Sequence, residues 1–459
     1  MSLTGMSVPL RPAGATLAAV VAAEKAVSFR EAFSKWVDRI LFSGVCVLLF
    51  FGPLAFGAVE NWSLFGFELG AAILFLFWSL KQLLSPGAKI KGNVLYPPMI
   101  VFGVVIAGQV VGGISVYRYA TLSELYKYIA YGMLFFLVVH CVQTEERLRR
   151  FVNLLTGFGF VLAVFGVIQA LTSNGKLYWL VGQPGGLMYG TYVNHNHYAG
   201  LMEMLVPLAL TMSMTRSITT GRRMFLALAG IVMGGTIFLC LSRGGIVAFL
   251  WEVSLLVLFL AWKKNGRKAI GFGVLLLLTA AFLFWMGREQ TLDRLASLRH
   301  PSEEIAAKFR LTVAQDGLRM FRERPIAGWG LGGFPVVYPQ FRSFYSQLYV
   351  DPADNDWLQL LVETGLLGCA VTAWFLLGMY RCGLRRLHPW TADLSSTVTL
   401  AALIGCTGVL IHSFSDSNLH VPANAGFFYV LGALATIQVQ GLGASNACKR
   451  AREKEQGWR

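Results

Sequence analysis

Charge is the first thing this sequence has little of. Among 459 residues 14% are charged and 55% hydrophobic, where a soluble domain carries roughly a quarter charged residues. Mean hydropathy is +0.58, and apolar runs recur near the ~20 residues needed to cross a bilayer core. That shortage excludes a soluble globular domain. The net charge of +15 would suit a nucleic-acid binder, but the basic residues are scattered between apolar runs, as topology signals are. No nucleic-acid partner is expected. Cysteine is also sparse, at positions 46, 141, 240, 369, 382, 406 and 448, never at metal-ligand spacing. Such cysteines read as small buried hydrophobes, with no disulfide and no zinc expected. Internal repeats and low-complexity tracts are missing too, so the inverted-repeat pattern of many secondary transporters is not visible. "AGATLAAVVAA", near the start, is short and followed by charge. It lacks the basic start and long core of a signal peptide, and is expected to be part of a cytoplasmic tail.

What is present is a succession of apolar runs. They predict an all-α polytopic membrane protein with about twelve spans, near 40–58, 64–80, 97–114, 126–142, 151–171, 198–214, 224–240, 244–262, 269–286, 358–380, 395–412 and 423–440. Alternate connections carry the positive charge: Lys81, Lys89 and Lys91; Arg147, Arg149 and Arg150; Arg216, Arg222 and Arg223; Lys263, Lys264, Arg267 and Lys268; Arg381, Arg385 and Arg386. Both tails are basic as well, and the remaining short loops, such as "VENWS", are nearly bare. Positive residues mark the cytoplasmic side, so both termini are expected there, with the chain a multi-pass protein of a cytoplasmic membrane. The expected organisation is a tail over 1–39, nine spans over 40–286, a long outer loop over 287–357, three spans over 358–440 and a basic tail over 441–459. Within the long loop, "EEIAAKFRLTVAQDGLRMFRER" brings Ile305, Phe309, Val313, Met320 and Phe321 close to one helical face, with Arg310 and Arg319 beside it.

Unusual polar residues collect at the outer ends of the spans. "YVNHNHYAGLMEM" places Asn194, His195, Asn196 and His197 at the mouth of the sixth span and Glu203 deeper. A helix cap with interfacial histidines accounts for this cluster, and so does a metal site, although the spacing is not diagnostic. Glu203 is an ionisable group in an apolar run, which in membranes marks a functional or structural polar partner. "CLSRGGIVAFL" puts Arg243 in a short outer turn, against the positive-inside gradient; a guanidinium clamping an anion explains that placement. "DPADNDWLQLLVETG" crowds Asp351, Asp354 and Asp356 around the start of the tenth span. Helix capping, proton transfer from a sugar hydroxyl and divalent-metal ligation all fit those acids. "HSFSDSNLHVPANAG" brings His412, Asp416, Asn418 and His420 to the same outer side. Four separate segments therefore converge on one side of the membrane.

At these residues the sequence resembles the O-antigen ligase and O-antigen polymerase superfamily of bacterial inner-membrane glycosyltransferases, over roughly 150–440. The stretches that carry the resemblance are "TYVNHNHYAGLMEMLVPLAL", "LSRGG", "RLTVAQDGLRMFRERPIAGWGLGGF", "NDWLQLLVETGLLG" and "HSFSDSNLHVPAN". The resemblance implies a GT-C-like, metal-independent transferase with a large periplasmic loop between spans nine and ten and no cofactor. Such enzymes move a glycan from undecaprenyl diphosphate to a hydroxyl of lipid A core or of another glycan. It also implies that Arg243 and Arg310 engage the diphosphate. Related ligases place a His as general base directly before the Asn that matches Asn355; here that position is Asp354. An Asp accepts a proton as a His does, particularly if burial raises its pKa, so ligase and polymerase both stay open. Asp354, Arg243 and Arg310 are accordingly the expected catalytic residues. Asn194, His195, Asn196, His197, Asn355, Arg319 and His420 are the expected substrate-binding ones. Two other classes compete with an enzyme: a transporter or flippase of an anionic or lipid-linked solute, and a non-catalytic assembly factor.

Overall fold

A computed structural model describes residues 17–84, 90–182, 188–216, 218–263, 301–344, 354–388 and 390–439, with a few positions between 266 and 274; side chains of 17–31 and 301–308 lie outside the description. Twelve labelled helices organise these residues. They are α1 (Leu17–Leu54), α2 (Asn61–Leu84), α3 (Tyr96–Val111), α4 (Arg118–Cys141), α5 (Glu145–Thr172), α6 (His195–Met212), α7 (Thr220–Leu239) and α8 (Arg243–Trp262), followed by α9 (Pro301–Glu323), α10 (Asp356–Arg386), α11 (Leu394–His412) and α12 (Pro422–Thr436). The chain is an all-α polytopic membrane protein. Among the described residues no strand forms; Leu177↔Val181 and Tyr189↔Tyr192 are isolated bridges.

Local sequence sets the helix starts. Thr144, Thr219 and Asp393 each accept a backbone N–H of their own first turn, opening α5, α7 and α11. Pro97 and Pro98 sit at the first turn of α3, where a missing N–H costs nothing. Among the described residues, eight helices are long and apolar enough to cross a bilayer: α1 from Ala32, α2, α4, α5, α7, α8, α10 and α11. Helix α3 is apolar but shorter. The expected sixth and twelfth spans correspond to α6 and α12, which differ from those eight for plain reasons. Helix α6 opens with two His and two Asn nearby and carries Glu203, and α12 has 15 residues. The expected ninth span, near 269–286, falls mostly outside the described residues, as does Asp351. Helix α1 continues back to Leu17, so much of the expected N-terminal tail joins the first span in one helix.

The layers follow from burial. Helix α6 is buried all round from Tyr198 to Met212; α11 and α12 are buried along nearly their whole length. Helix α6 packs on α11, α7, α8, α5 and α12, forming the bundle's centre. The outer helices are apolar on both faces. In α2, Phe67, Ala71, Leu74 and Trp78 point inward, while Trp62, Phe65, Leu69, Ile73, Leu76 and Leu80 face out. An outward apolar stripe of that length is what a helix bathed in lipid presents. At one end Asp38 of α1 takes Lys81 of α2 at 2.5 Å and Arg147 of α5 at 3.6 Å, joining basic residues of two connections.

The opposite end carries a second, smaller core. Val313 and Met320 of α9 meet Trp329, Phe334, Val337 and Tyr338 of the following loop over Leu358 and Val362 of α10. Phe309 and Phe321 pack against the same cluster, so the expected amphipathic face is the one buried; the Ile305 side chain lies outside the described residues. Asp316, wholly buried, anchors this unit. It accepts from Arg319, from the Tyr338 hydroxyl at 3.3 Å, and from Ser343 N and Oγ at 3.0 and 3.2 Å.

Helix α10 is interrupted at Gly365, whose φ of 63° and ψ of −163° are not helical. The break is interlocked with the loop. Trp329 N and Gly330 N donate to the Val362 and Glu363 carbonyls, and Leu366 N and Leu367 N donate to those of Pro325 and Ile326. Gln109, buried in α3, completes the lock: its Nε2 donates to the Ala327 and Glu363 carbonyls at 2.7 and 2.8 Å, and its Oε1 accepts from Leu331 N. The two backbones approach so closely that a Cβ at Gly328, where φ is 69°, would lie 2.4 Å from the Glu363 carbonyl. The glycines of "GWGLGG" and "ETG" are therefore there to let backbone meet backbone.

Candidate functional site

Three helix N-termini meet at this loop-bearing end: those of α6, α8 and α10. What joins them is the turn 412–420 between α11 and α12. Its first residue, His412, donates or accepts through Nδ1 at 2.8 Å from Glu203 Oε1 of α6, and its Nε2 lies 3.5 Å from Ser242 Oγ. Ser242 caps α8 by accepting from Gly245 N, and Arg243 follows it directly. The packing over His412 is so tight that a Cβ at Gly244 would sit 2.5 Å from the imidazole Cδ2. The "SRGG" stretch thus seats the mouth of α8 on a buried Glu–His pair, with the Arg243 side chain at the exposed surface.

The same turn holds α10. Asn355 caps that helix, accepting from Leu358 N and donating Nδ2 to the Phe414 carbonyl at 3.0 Å. Asp356 accepts from Ser413 Oγ at 2.6 Å, Leu419 N at 2.9 Å and His420 Nδ1 at 2.5 Å. Burial alone would push the His420 imidazole down, but the Asp356 carboxylate outweighs it and raises His420 to about 9. Asp354 faces another way, toward Arg310 of α9, with Nε 3.4 Å from Oδ2. It holds a left-handed backbone with φ of 50°, a conformation that costs an ordinary residue about 1–2 kcal/mol and collects at functional positions. Partial burial raises the Asp354 carboxyl above its usual range; Arg310 counters this in part and Asp416 adds to it.

Helix α6 contributes the third mouth. Asn194 caps it by accepting from Asn196 N at 2.9 Å. His197 Nε2 lies 3.2 Å from Asp416 Oδ1. Burial presses Asp416 upward, yet the bond and charge of His197, with His412 and Ser417 N, hold its carboxyl below the usual range. Asn418 abuts Gly200, where a Cβ would be 2.1 Å from its Oδ1, and accepts from Asn424 Nδ2, which also donates to the His197 carbonyl.

The structure therefore brings Asn194, His197, Asp354, Asn355, Arg310 and His420 to one end, around a single turn. His195 and Asn196 are half-buried in the first turn of α6. Arg319 is placed differently. It pairs with Asp316 and donates to the Phe341 carbonyl at 3.3 Å, nine residues and so about 13 Å along α9 from Arg310. Among the described residues no group of three or more His, Cys, Asp and Glu is disposed to hold a metal ion, and Asp354 and Asp356 turn to different partners.

Reading the sequence missed two positions: Gln109 locks the broken helix, and Asp316 anchors the loop. Gln109, a lone amide in an apolar run, left a legible signal; Asp316 resembles an ordinary helix acid. Asp356 was singled out among the acids before the tenth span, but its role of tying α10 to the turn was not.

Fold and site together define a polytopic membrane protein with an arginine-bearing polar site at one end of its bundle. Compared with known families, residues 228–373 match the O-antigen ligase family model, which supports the O-antigen ligase superfamily as the one this chain resembles. The matched segment contains Arg243, Arg310, Asp354, Asn355 and the α10 break; the α6 mouth and the turn 412–420 lie outside it. A search of curated proteins returned no match.

Proposed function

We propose that this protein is a lipid-linked glycan transferase, an O-antigen ligase or polymerase acting at the extracytoplasmic face of a bacterial inner membrane. The observation that carries the reading is the convergence of three helix N-termini, with Arg243 and Arg310, at the end opposite the basic connections. Helix N-termini and guanidinium groups both favour an anion, and the diphosphate of an undecaprenyl diphosphate donor supplies one there.

In this reading the bond from the donor's anomeric carbon to the diphosphate oxygen breaks as an acceptor hydroxyl oxygen bonds to that carbon. The leaving diphosphate takes the electron pair, and Arg243 and Arg310 stabilise its growing charge. The hydroxyl proton passes to Asp354, whose raised pKa makes it a better acceptor than an ordinary surface carboxylate. The Arg310–Asp354 contact is loose and half-exposed, so a diphosphate can draw Arg310 away and leave Asp354 to the acceptor. No step in this scheme requires a metal.

The test is transfer by purified protein from a defined undecaprenyl-diphosphate glycan to candidate acceptors, with and without EDTA. Product formation that survives EDTA and collapses in Asp354→Ala is expected. Absence of product with every acceptor, or full turnover in Asp354→Ala, overturns the reading or the role of Asp354 respectively.

A further inference from the structure

Glu252 of α8 takes no part in the site described above. It stands nine residues, and so about 13 Å, along the helix from Arg243, close to the middle of a bilayer core ~30 Å thick. The residue is buried, and among the described residues neither of its carboxyl oxygens has a hydrogen-bond partner. The bundle nevertheless makes room for it, because a Cβ at Gly408 of α11 would collide with Glu252 Oε1. An ionised carboxylate without a hydrogen bond is far costlier in such surroundings than a neutral acid. Glu252 therefore carries its proton.

Titratable groups lead from that proton toward the outer end. Gly408 lies one turn before His412 on α11, and Gly245 lies two turns before Glu252 on α8. A Cβ at Gly245 would come 3.1 Å from Glu203 Oε1, so Glu203 and Glu252 share one seam between α6, α8 and α11. Glu203 is the charged neighbour whose field Glu252 feels. Its Oε1 meets His412, and its Oε2, like both oxygens of Glu252, is unpartnered among the described residues. Beyond His412 comes Asp416, whose carboxylate meets the partly exposed His197. Cys406 of α11 faces Glu252, and Cys240, at the end of α7, faces Glu203. Toward the opposite end the seam is apolar, with Leu256 and Leu260 of α8, Leu208 of α6 and Leu403 of α11 all buried.

We propose that Glu252 is a proton-binding site in the interior of the membrane, filled from the outer end through the Glu203–His412 pair and closed toward the opposite end. The site goes beyond glycan transfer and does not rest on it. A proton held on Glu252 leaves Glu203 as the one carboxylate of the spans facing His412, so the pair seats the mouth of α8 without a second buried negative charge beside it. The neutral acid, enclosed in an apolar bundle, is also the species that an apolar carbodiimide modifies. In that reaction the carboxyl O–H adds across one C=N bond, oxygen to carbon and proton to nitrogen, with no leaving group.

The experiment uses the full chain in nanodiscs and reads the proton in two ways. Dicyclohexylcarbodiimide should leave one adduct on Glu252, located by peptide mass spectrometry, whereas a charged, water-soluble carbodiimide should leave none there. Infrared spectroscopy should show the carbonyl stretch of a protonated carboxylic acid that vanishes in Glu252→Gln and shifts when the sample is moved into D₂O. In Glu203→Gln, which keeps the shape of the side chain but cannot relay a proton, that shift should slow by at least about tenfold. Absence of an adduct on Glu252 in the wild-type protein, or an acid band that survives unchanged in Glu252→Gln, would overturn the site. Exchange at the wild-type rate in folded Glu203→Gln would overturn the outer route, since it would show that the proton enters elsewhere. Neither readout depends on turnover, so loss of transfer with every acceptor sinks the enzymatic reading alone, and an unlabelled Glu252 beside active transfer sinks the proton site alone.

Discussion

Asp356→Asn separates the charge of Asp356 from its shape. The substitution keeps the volume and one acceptor oxygen but removes the charge that holds the His420 proton. A rise in His420 from 6.5 to about 9 corresponds to on the order of 3 kcal/mol of linked stability. Because the folded pKa lies above the ordinary one, that stability is fully present below pH 6.5. It fades as the pH climbs toward 9 and is gone above it. A second cost comes from the new amide N–H₂, which must face either protonated His420 or the Ser413 and Leu419 donors. Leaving a buried donor unmatched costs about 1–3 kcal/mol. Above pH 9 the neutral ring can accept from the amide, so this term also shrinks. The melting temperatures of wild type and variant, followed by tryptophan fluorescence in detergent, should therefore differ most near pH 6 and converge by about pH 9.5. A gap that is flat across this range, or that widens with pH, would refute the ion-pair reasoning.

Gly328→Ala forces a Cβ to within 2.4 Å of the Glu363 carbonyl at a φ of 69°, so a loss of 2 kcal/mol or more, roughly, is expected in thermal unfolding. Gly235→Ala in α7, where a Cβ meets nothing within 4 Å, should be neutral or slightly stabilising in the same assay. Arg243→Ala and Arg310→Ala should each lower the transfer rate by about a hundredfold or more with unchanged melting, and Arg→Lys at either position should recover only part, because one ammonium replaces a bidentate fork; wild-type rates in both alanine variants would remove the arginines from the donor site.

Much of the fold was legible because its causes are local. Apolar runs and caps place the helices, and one face of α9 predicted its own burial through Phe309, Val313, Met320 and Phe321. The position of Arg243 was visible as a positive residue in a short outer turn, against the positive-inside gradient. What could not be read was direction. Asp354 and Asp356 are near neighbours of the same type, yet one meets Arg310 and the other disappears into the turn 412–420. The difference arises from the positive φ at Asp354 and the cap at Asn355, neither of which a periodicity conveys. The glycines of "GWGLGG" and "ETG" were visible as motifs, but their shared purpose was not, since they lie on segments that touch only in the folded chain.

By itself, then, the sequence determined a helical membrane protein, the expected side of its long loop, and the residue types gathered there. These depend on hydrophobic length, charge in the loops and capping, all of which act over a few neighbouring residues. The tertiary structure decided which of those residues share partners. Only folding brings α6, α8 and α10 to the turn 412–420, and only then does burial turn Asp356 and His420 into a fixed pair while leaving Asp354 and Arg310 open to exchange.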